Sequence, residues 1–275
     1  MGVFVARSTR FVKLLKKVYP ARYLAALITN LPVVESVADF GFFMGDDVVY
    51  LPKDNTIQIN KSIPLPEEIV LPSQVVEHFI EKANYHWIMD FCLCRDGAHC
   101  NDYPRDFGCL FLGEAVTGIN PQLGRMVSKQ EALDHVKRCR EAGLVHMVGR
   151  NKLDRVWLGV RPGHKLLTIC NCCPCCCLYG TLPYMSPRIG KKIQKLSGVQ
   201  ISVNELCIGC GTCCEGICFV DAIQIIDGRA SISDDCRACG RCVEACPEGA
   251  IELTIESNLV FNETIERLSS LIDLT

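Results

Sequence analysis

The chain carries Cys207-x2-Cys210-x2-Cys213-x4-Cys218, followed by Cys236-x2-Cys239-x2-Cys242-x3-Cys246-Pro247. Nothing else in it limits the fold so tightly. Three thiolates at x2 intervals can bend around three corners of one iron–sulfur cube, and the fourth cysteine points away toward a second cube. The spacing implies single-electron traffic through iron–sulfur clusters.

With 275 residues there is room for one large or two modest domains, and a 49% hydrophobic share is enough for a core. A net charge of −2 gives no global pull toward nucleic acid. Twenty cysteines are the outlier. Disulfides would suit a small secreted domain, but this chain is larger and shows no secretory signal. Cys172-Cys173 and Cys175-Cys176-Cys177 also make poor disulfide partners. Metal-bound thiols in a reducing, cytoplasmic compartment are expected, and oxygen-labile clusters point to an anaerobe.

No apolar stretch reaches the roughly 18–20 residues of a membrane span. The first 34 residues hold Arg7, Arg10, Lys13, Lys16, Lys17 and Arg22 and no acidic residue. Phe11, Leu14, Leu15 and Val18 fall at helical spacing opposite the lysines. Such a helix either docks on an anionic membrane surface or acidic partner protein, or packs on its own domain with its lysines solvated. Pro20 breaks the pattern early and favours packing.

Further along, Val48–Leu51 and Thr56–Asn60 flank Pro52-Lys53-Asp54-Asn55 and read as a β-hairpin. Pro64, Pro66 and Pro72 form a stiff connector, and Ser73 opens a helix running to Ala83. Helix and hairpin together could be the back half of a winged helix, though no basic helix is placed to read DNA. Ser128-x-x-Glu131 is a capping box whose helix ends at Gly143. Leu144–Val148, Val156–Val160 and Leu166–Ile169 read as strands, and Arg188 to Lys195 as a basic linker. Asn262–Ile272 closes the chain as an amphipathic helix. The expected division is 1–70 (basic helix and hairpin), 71–187 (cysteine-rich), 200–255 (two-cluster module) and 256–275 (terminal helix), in an α+β fold.

Residues 200–255 resemble a bacterial two-cluster ferredoxin, and Cys218-Phe-Val-Asp-Ala-Ile223 repeats as Cys246-Pro-Glu-Gly-Ala-Ile251. The resemblance implies one 4Fe–4S cluster on Cys207, Cys210, Cys213 and Cys246 and another on Cys236, Cys239, Cys242 and Cys218. Gly209, Gly211 and Gly240 would keep the loops bare, and Ile208, Ile217, Ile223, Val243 and Ile251 would exclude water. Two departures stand out. The first run has x4 where x3 is usual, and Phe219 replaces proline. Cys214 also makes Cys214-x3-Cys218 a rival ligand set; Cys213 keeps both x2 spacings, leaving Cys214 spare. A structural zinc site would not interleave two four-cysteine sets in this way.

Eleven further cysteines lie outside the module, and ten of them fall into two groups: Cys92, Cys94, Cys100 and Cys109, then Cys170, Cys172, Cys173, Cys175, Cys176 and Cys177. In an extended segment Cys170 and Cys172 project one way and Cys173 the other, so the last six cannot all ligate one cluster. The economical arrangement is one more 4Fe–4S cluster between the 92–109 and 170–177 segments. A second or non-cubane cluster, free thiols and zinc are the alternatives. Cys139 reads as core packing.

Cys92-x-Cys94-Arg95, Cys100, Pro104, Cys109, Gly113, Ala142–His146 and Ile169–Cys177 resemble a family of anaerobe 4Fe–4S ferredoxin-domain proteins. That resemblance implies electron transfer without an established substrate. Three functions compete. An electron relay would pass low-potential electrons to a redox partner protein. A reductase would use the N-terminal cluster on a small molecule, with Arg95, His99 or Asp102 supplying charge or protons. A redox or metal sensor is the third. The chain lacks a dinucleotide fingerprint or phosphate loop, so electrons would enter from another protein.

Overall fold

The computed structural model describes residues 6–59, 71–255 and 259–275. Its strands fall into three sheets. The largest holds β1 (Asp47–Tyr50), β3 (His86–Met89), β4 (Leu110–Leu112), β5 (Gly124–Met126), β6 (Val145–Arg150), β7 (Leu167–Cys172) and β8 (Ile193–Lys195). Their spatial order is β5-β3-β4-β7-β6-β1-β8, and every pairing is antiparallel except β1 with β8. A second sheet sets β12 (Ile251–Ile255) between β2 (Ile57–Ile59) and β9 (Val199–Val203). The third is the hairpin of β10 (Ile223–Ile226) and β11 (Arg229–Ile232). Both residues of its Asp227-Gly228 turn have positive φ, as a tight type I′ connection requires.

Helices and sheets coexist in an α+β arrangement. The large sheet is buried on both faces, and strand alternation sorts its side chains between them. Val49, Val148, Leu167 and Ile169 face α4 (Pro72–Lys82), α6 (Lys129–Glu141) and α10 (Leu259–Leu271), packing with Phe79, Val136 and Phe261. On the opposite face, Trp87, Met89 and Phe111 meet Val12 of α1 (Thr9–Val18) and Trp157 of α7 (Lys152–Leu158). Val48, Tyr50, Val145 and Met147 share that face with Cys170 and Cys172. The strand period that builds the core thus delivers two thiols to one side.

The capping box forms as expected: Ser128 Oγ accepts from Glu131 N, and Glu131 Oε2 accepts from Ser128 N at 2.9 Å. Three expectations fail. β1 and β2 do not form a hairpin: β1 lies between β6 and β8, while β2 pairs in parallel with β12. Among the described residues the 1–70 unit therefore has no sheet of its own, and the winged-helix idea loses its wing. Residues 156–160 are not a strand; the Asn151 side chain caps α7, which closes on Gly159 at φ 73. The 188–195 segment is not a free linker, because α8 (Pro187–Gly190) is followed by β8 on the sheet edge. Pro64 and Pro66 lie outside the described residues.

The N-terminal basic helix packs on its own domain. Phe11, Val12 and Leu15 join the Trp87 core, while Lys16 pairs with Asp96 at 2.6 Å and sits over the Phe91 ring. Leu14 and Val18 of the same helix stay exposed, and further exposed apolar residues follow on α2 (Arg22–Ile28), on α3 (Pro32–Ala38) and at Phe40; Leu24 is 64% and Val33 77% exposed. Among the described residues, no helix is long and apolar enough to cross a membrane.

Candidate metal centres

Cys207, Cys210, Cys213 and Cys246 line a single small cavity together with Ile208, Ile225 and Ile251. Three of the four come from the first run and one from the second, which is the interleaving the spacing implies. Cys214 is not among the lining residues; its Sγ lies 3.9 Å from that of Cys213. The two halves of the module repeat in backbone as well as in sequence. Gly209 and Ala238 are both left-handed, as are Gly211 and Gly240, and Asp221 and Gly249. Each half aims backbone N–H groups at sulfur. Ala222 and Ala250 donate to Cys218 and Cys246, and Ala230 and Ala238 to Cys207 and Cys236, all at 3.3 Å. Such bonds favour thiolate over thiol.

The second set, Cys218, Cys236, Cys239 and Cys242, sits in mutual electrostatic reach, and Cys242 also feels Cys213 of the first. Burial pushes Cys213 up to about 12 and Cys236 to about 11. A bound metal cation would offset that cost by displacing the protons. Both donor sets therefore suit a thiolate-bound cluster. Ile217, Ile223, Val243 and Ile251 pack around the thiols, whereas Ile208 is 68% exposed and shields only from the rim.

The ten N-terminal cysteines divide in a way spacing alone does not show. Cys100, Cys173, Cys175 and Cys176 gather with all four sulfurs within 4.8 Å of one another. The other six form a separate chain of neighbours. Cys92 and Cys94 share a thiol hydrogen bond, as do Cys172 and Cys177, and Cys94 is in electrostatic reach of Cys177. Cys109 Sγ lies 3.5 Å from Cys170 Sγ. Cys92 is held down at about 6 by its bond with Cys94, with Arg95 adding to the effect.

Arg95 does not grip a substrate. It is fully buried, and its guanidinium donates from Nε to the Pro104 carbonyl, from Nη1 to Asn171 and from Nη2 to Phe107. It locks the loop between Cys100 and Cys109 onto β7 while offsetting thiolate charge. His86 is buried against the Ile80 carbonyl, and Asp90 is exposed. Arg105 donates to the Cys100 carbonyl at 2.6 Å. Cys139 is core packing; burial lifts it to about 12.

A pair of residues that sequence reasoning misses joins the two regions. Tyr50 on β1 lies against Phe219, ring centroids 4.8 Å apart, and its hydroxyl stands 3.6 Å from both Cys172 Sγ and Cys177 Sγ. Phe219 is the residue that replaces proline after Cys218. That departure is the one sequence signal that could have pointed to it.

Residues 231–252 match the family model of the 4Fe-4S binding domain. The chain is 43% identical over 56 residues to a subunit of the Na(+)-translocating ferredoxin:NAD(+) oxidoreductase complex of Acetobacterium woodii, covering 20% of this chain and 16% of that protein. It is 40% identical over 62 residues to an uncharacterized ferredoxin of Methanocaldococcus jannaschii, covering 22% and 38% respectively. The chain thus spans well under half the length of either relative. No solved structure matches it. A 4Fe–4S ferredoxin domain lies near the C-terminus, and iron–sulfur electron transfer is the chemistry it serves.

Proposed function

We propose that the chain is an electron relay. Cys207, Cys210, Cys213 and Cys246 would hold one 4Fe–4S cluster, and Cys218, Cys236, Cys239 and Cys242 a second. Cys92, Cys94, Cys109, Cys170, Cys172 and Cys177 would hold a further iron–sulfur cluster against the large sheet. When bound, the clusters supply one-electron carriers whose potentials answer to charge, hydrogen bonds and burial.

The observation that carries this reading is the continuity of one apolar cluster. Cys172, Cys177, Tyr50 and Phe219 pack together with Cys218, Cys236 and Cys239, so water is excluded between the two sets of thiols. Tyr50 and Phe219 fill the gap with rings, and the N–H groups aimed at sulfur hold the thiolates in place. The relay has no catalytic residue of its own. The reductase alternative loses Arg95, which is fully buried with each of its three nitrogens donating to a backbone carbonyl. Likeness to a subunit of a ferredoxin:NAD(+) oxidoreductase complex supports a redox partner protein as donor or acceptor.

Electron paramagnetic resonance of anaerobically purified, reduced protein tests the reading. Expected are signals from both ferredoxin-type clusters and a third, broadened by spin coupling to them. A protein with only about eight irons, whose six N-terminal thiols all alkylate freely, would overturn it.

A further inference from the structure

We propose that Cys100, Cys173, Cys175 and Cys176 bind a single tetrahedral metal ion, zinc or iron, and not a cluster. Four sulfurs placed about 2.3 Å from one ion at tetrahedral angles stand roughly 3.8 Å apart. Cys100 Sγ and Cys175 Sγ are 3.7 Å apart, and all four sulfurs lie within 4.8 Å of each other. In a cube each thiolate binds a different iron, so the irons themselves hold the sulfurs further apart. The ferredoxin-type sets provide the comparison within this same molecule. Among the described residues, only the Cys100 quartet draws its donor atoms this close.

The surrounding backbone is built for the purpose. Cys173-x2-Cys176 has the spacing of a metal knuckle, and Cys176 N donates to Cys173 Sγ at 3.3 Å. Cys100 arrives from a different loop, on the residue after His99, which is held at φ 53. A left-handed conformation costs a histidine stability and persists where its surroundings enforce it. Here it turns Cys100 toward the knuckle, and the backbone N–H groups of Asp102 and Tyr103 meet its sulfur. Cys100, Cys173 and Cys176 are buried and Cys175 is exposed. Arg95 lies in electrostatic reach of Cys173 and tempers the negative charge of four thiolates on a divalent ion.

All four coordination positions come from protein, so the site is closed. A closed tetrathiolate site is structural in character, and its place in the fold shows what it fastens. It ties the loop after Cys94 to the end of β7. The knuckle also holds the N-terminal helices, because Tyr19 donates to the Cys176 carbonyl at 2.7 Å. The ion would brace the walls around the six-thiol site. The ion site and the relay are independent of each other, and either can fail alone.

The test is metal and sulfide analysis of the whole protein purified anaerobically, with X-ray absorption at the zinc and iron edges. We expect one metal per chain beyond those matched by sulfide, surrounded by four sulfurs at about 2.3 Å. Zinc at that position assigns a purely structural ion, and mononuclear iron assigns a redox-capable one; both support the site. In Cys175→Ser and Cys100→Ser the excess metal should be lost, or leave on mild chelation, while acid-labile sulfide stays constant. The exposed Cys175 makes its variant the safer fold, and the wild-type stoichiometry needs no variant at all. Loss of iron together with equal sulfide would show a cluster there and overturn the proposal. So would wild-type protein with no metal beyond that matched by sulfide.

Discussion

Arg241 donates from Nη2 to the backbone carbonyl of Cys172. In sequence it stands between Cys239 and Cys242 of the ferredoxin domain; in space it touches the strand end that carries the N-terminal thiols. It is 7% exposed, and its Nε and Nη1 have no hydrogen-bond partner among the described residues. A buried cation with idle donors is costly unless negative charge lies close by. Thiolate-bound centres on either side would supply that charge.

Replacing Arg241 with Gln should therefore make the adjoining centres harder to reduce, lowering their midpoint potentials on the order of tens of millivolts. Potentiometric titration followed by paramagnetic resonance measures this directly. Potentials identical to the wild type would show that neither centre feels the guanidinium.

Cys213 and Cys214 are adjacent rivals, and the cavity separates them. Cys214→Ala should leave iron content unchanged, whereas Cys213→Ala should lose one cluster or convert it to a three-iron form. Iron and sulfide counts decide between them, and the reverse pattern would reassign the ligand.

Cys239→Ala should abolish one ferredoxin-type cluster while the N-terminal centre remains. Loss of every paramagnetic signal in this variant would mean that the two regions load metal as one unit.

Gly240 has φ +81, and a β-carbon there would lie 2.3 Å from Thr56 Oγ1. Gly240→Ala should cost on the order of 1–3 kcal/mol from backbone strain alone, with the clash adding to it. Chemical denaturation would show this, and Thr56→Ala in the same chain should recover part of the loss. Equal stability of Gly240→Ala and wild type would mean that the Thr56 segment does not press on this loop.

Burial raises Asp46 to about 7, and its Oδ1 accepts from Lys152 N at 2.7 Å. Between roughly pH 4 and 7 the folded chain holds this proton and the unfolded chain does not, so this contribution to stability is lost as pH rises through 7. Asn keeps the acceptor and never ionises. Asp46→Asn should be the more stable form at pH 8, on the order of a few kcal/mol, with the advantage shrinking toward pH 5.5. A difference independent of pH would refute the assignment.

What the sequence reveals depends on what each signal encodes. Cysteine spacing is local chemistry, so the interleaved set of Cys207, Cys210, Cys213 and Cys246 can be written down from the runs alone. The Ser128–Glu131 cap and the helix from Pro72 are equally local. Strand pairing is not. Val48–Tyr50 and Ile57–Ile59 carry the right residues for strands, but partners nearly 100 and 200 residues away decide where they go. For the same reason the ten N-terminal thiols cannot be divided in advance. Cys172 and Cys173 are neighbours in sequence, yet the end of β7 sends one toward Tyr50 and the other toward Cys100. The helix at 152–158 escapes a local reading because Val156, Trp157 and Leu158 suit a strand in isolation, while the cap at Asn151 and the turn at Gly159 override that preference.

The pairing of β2 with β12 also sets an order of events. Ile57–Ile59 leaves the ribosome nearly 200 residues before its partner strand, and until that partner emerges this pairing cannot form. β12, made well after β2, closes against it, and Thr56 beside β2 lies against the Gly240 loop. The pairing that completes this sheet therefore waits for the segment that follows Cys246, the final cysteine of the second run.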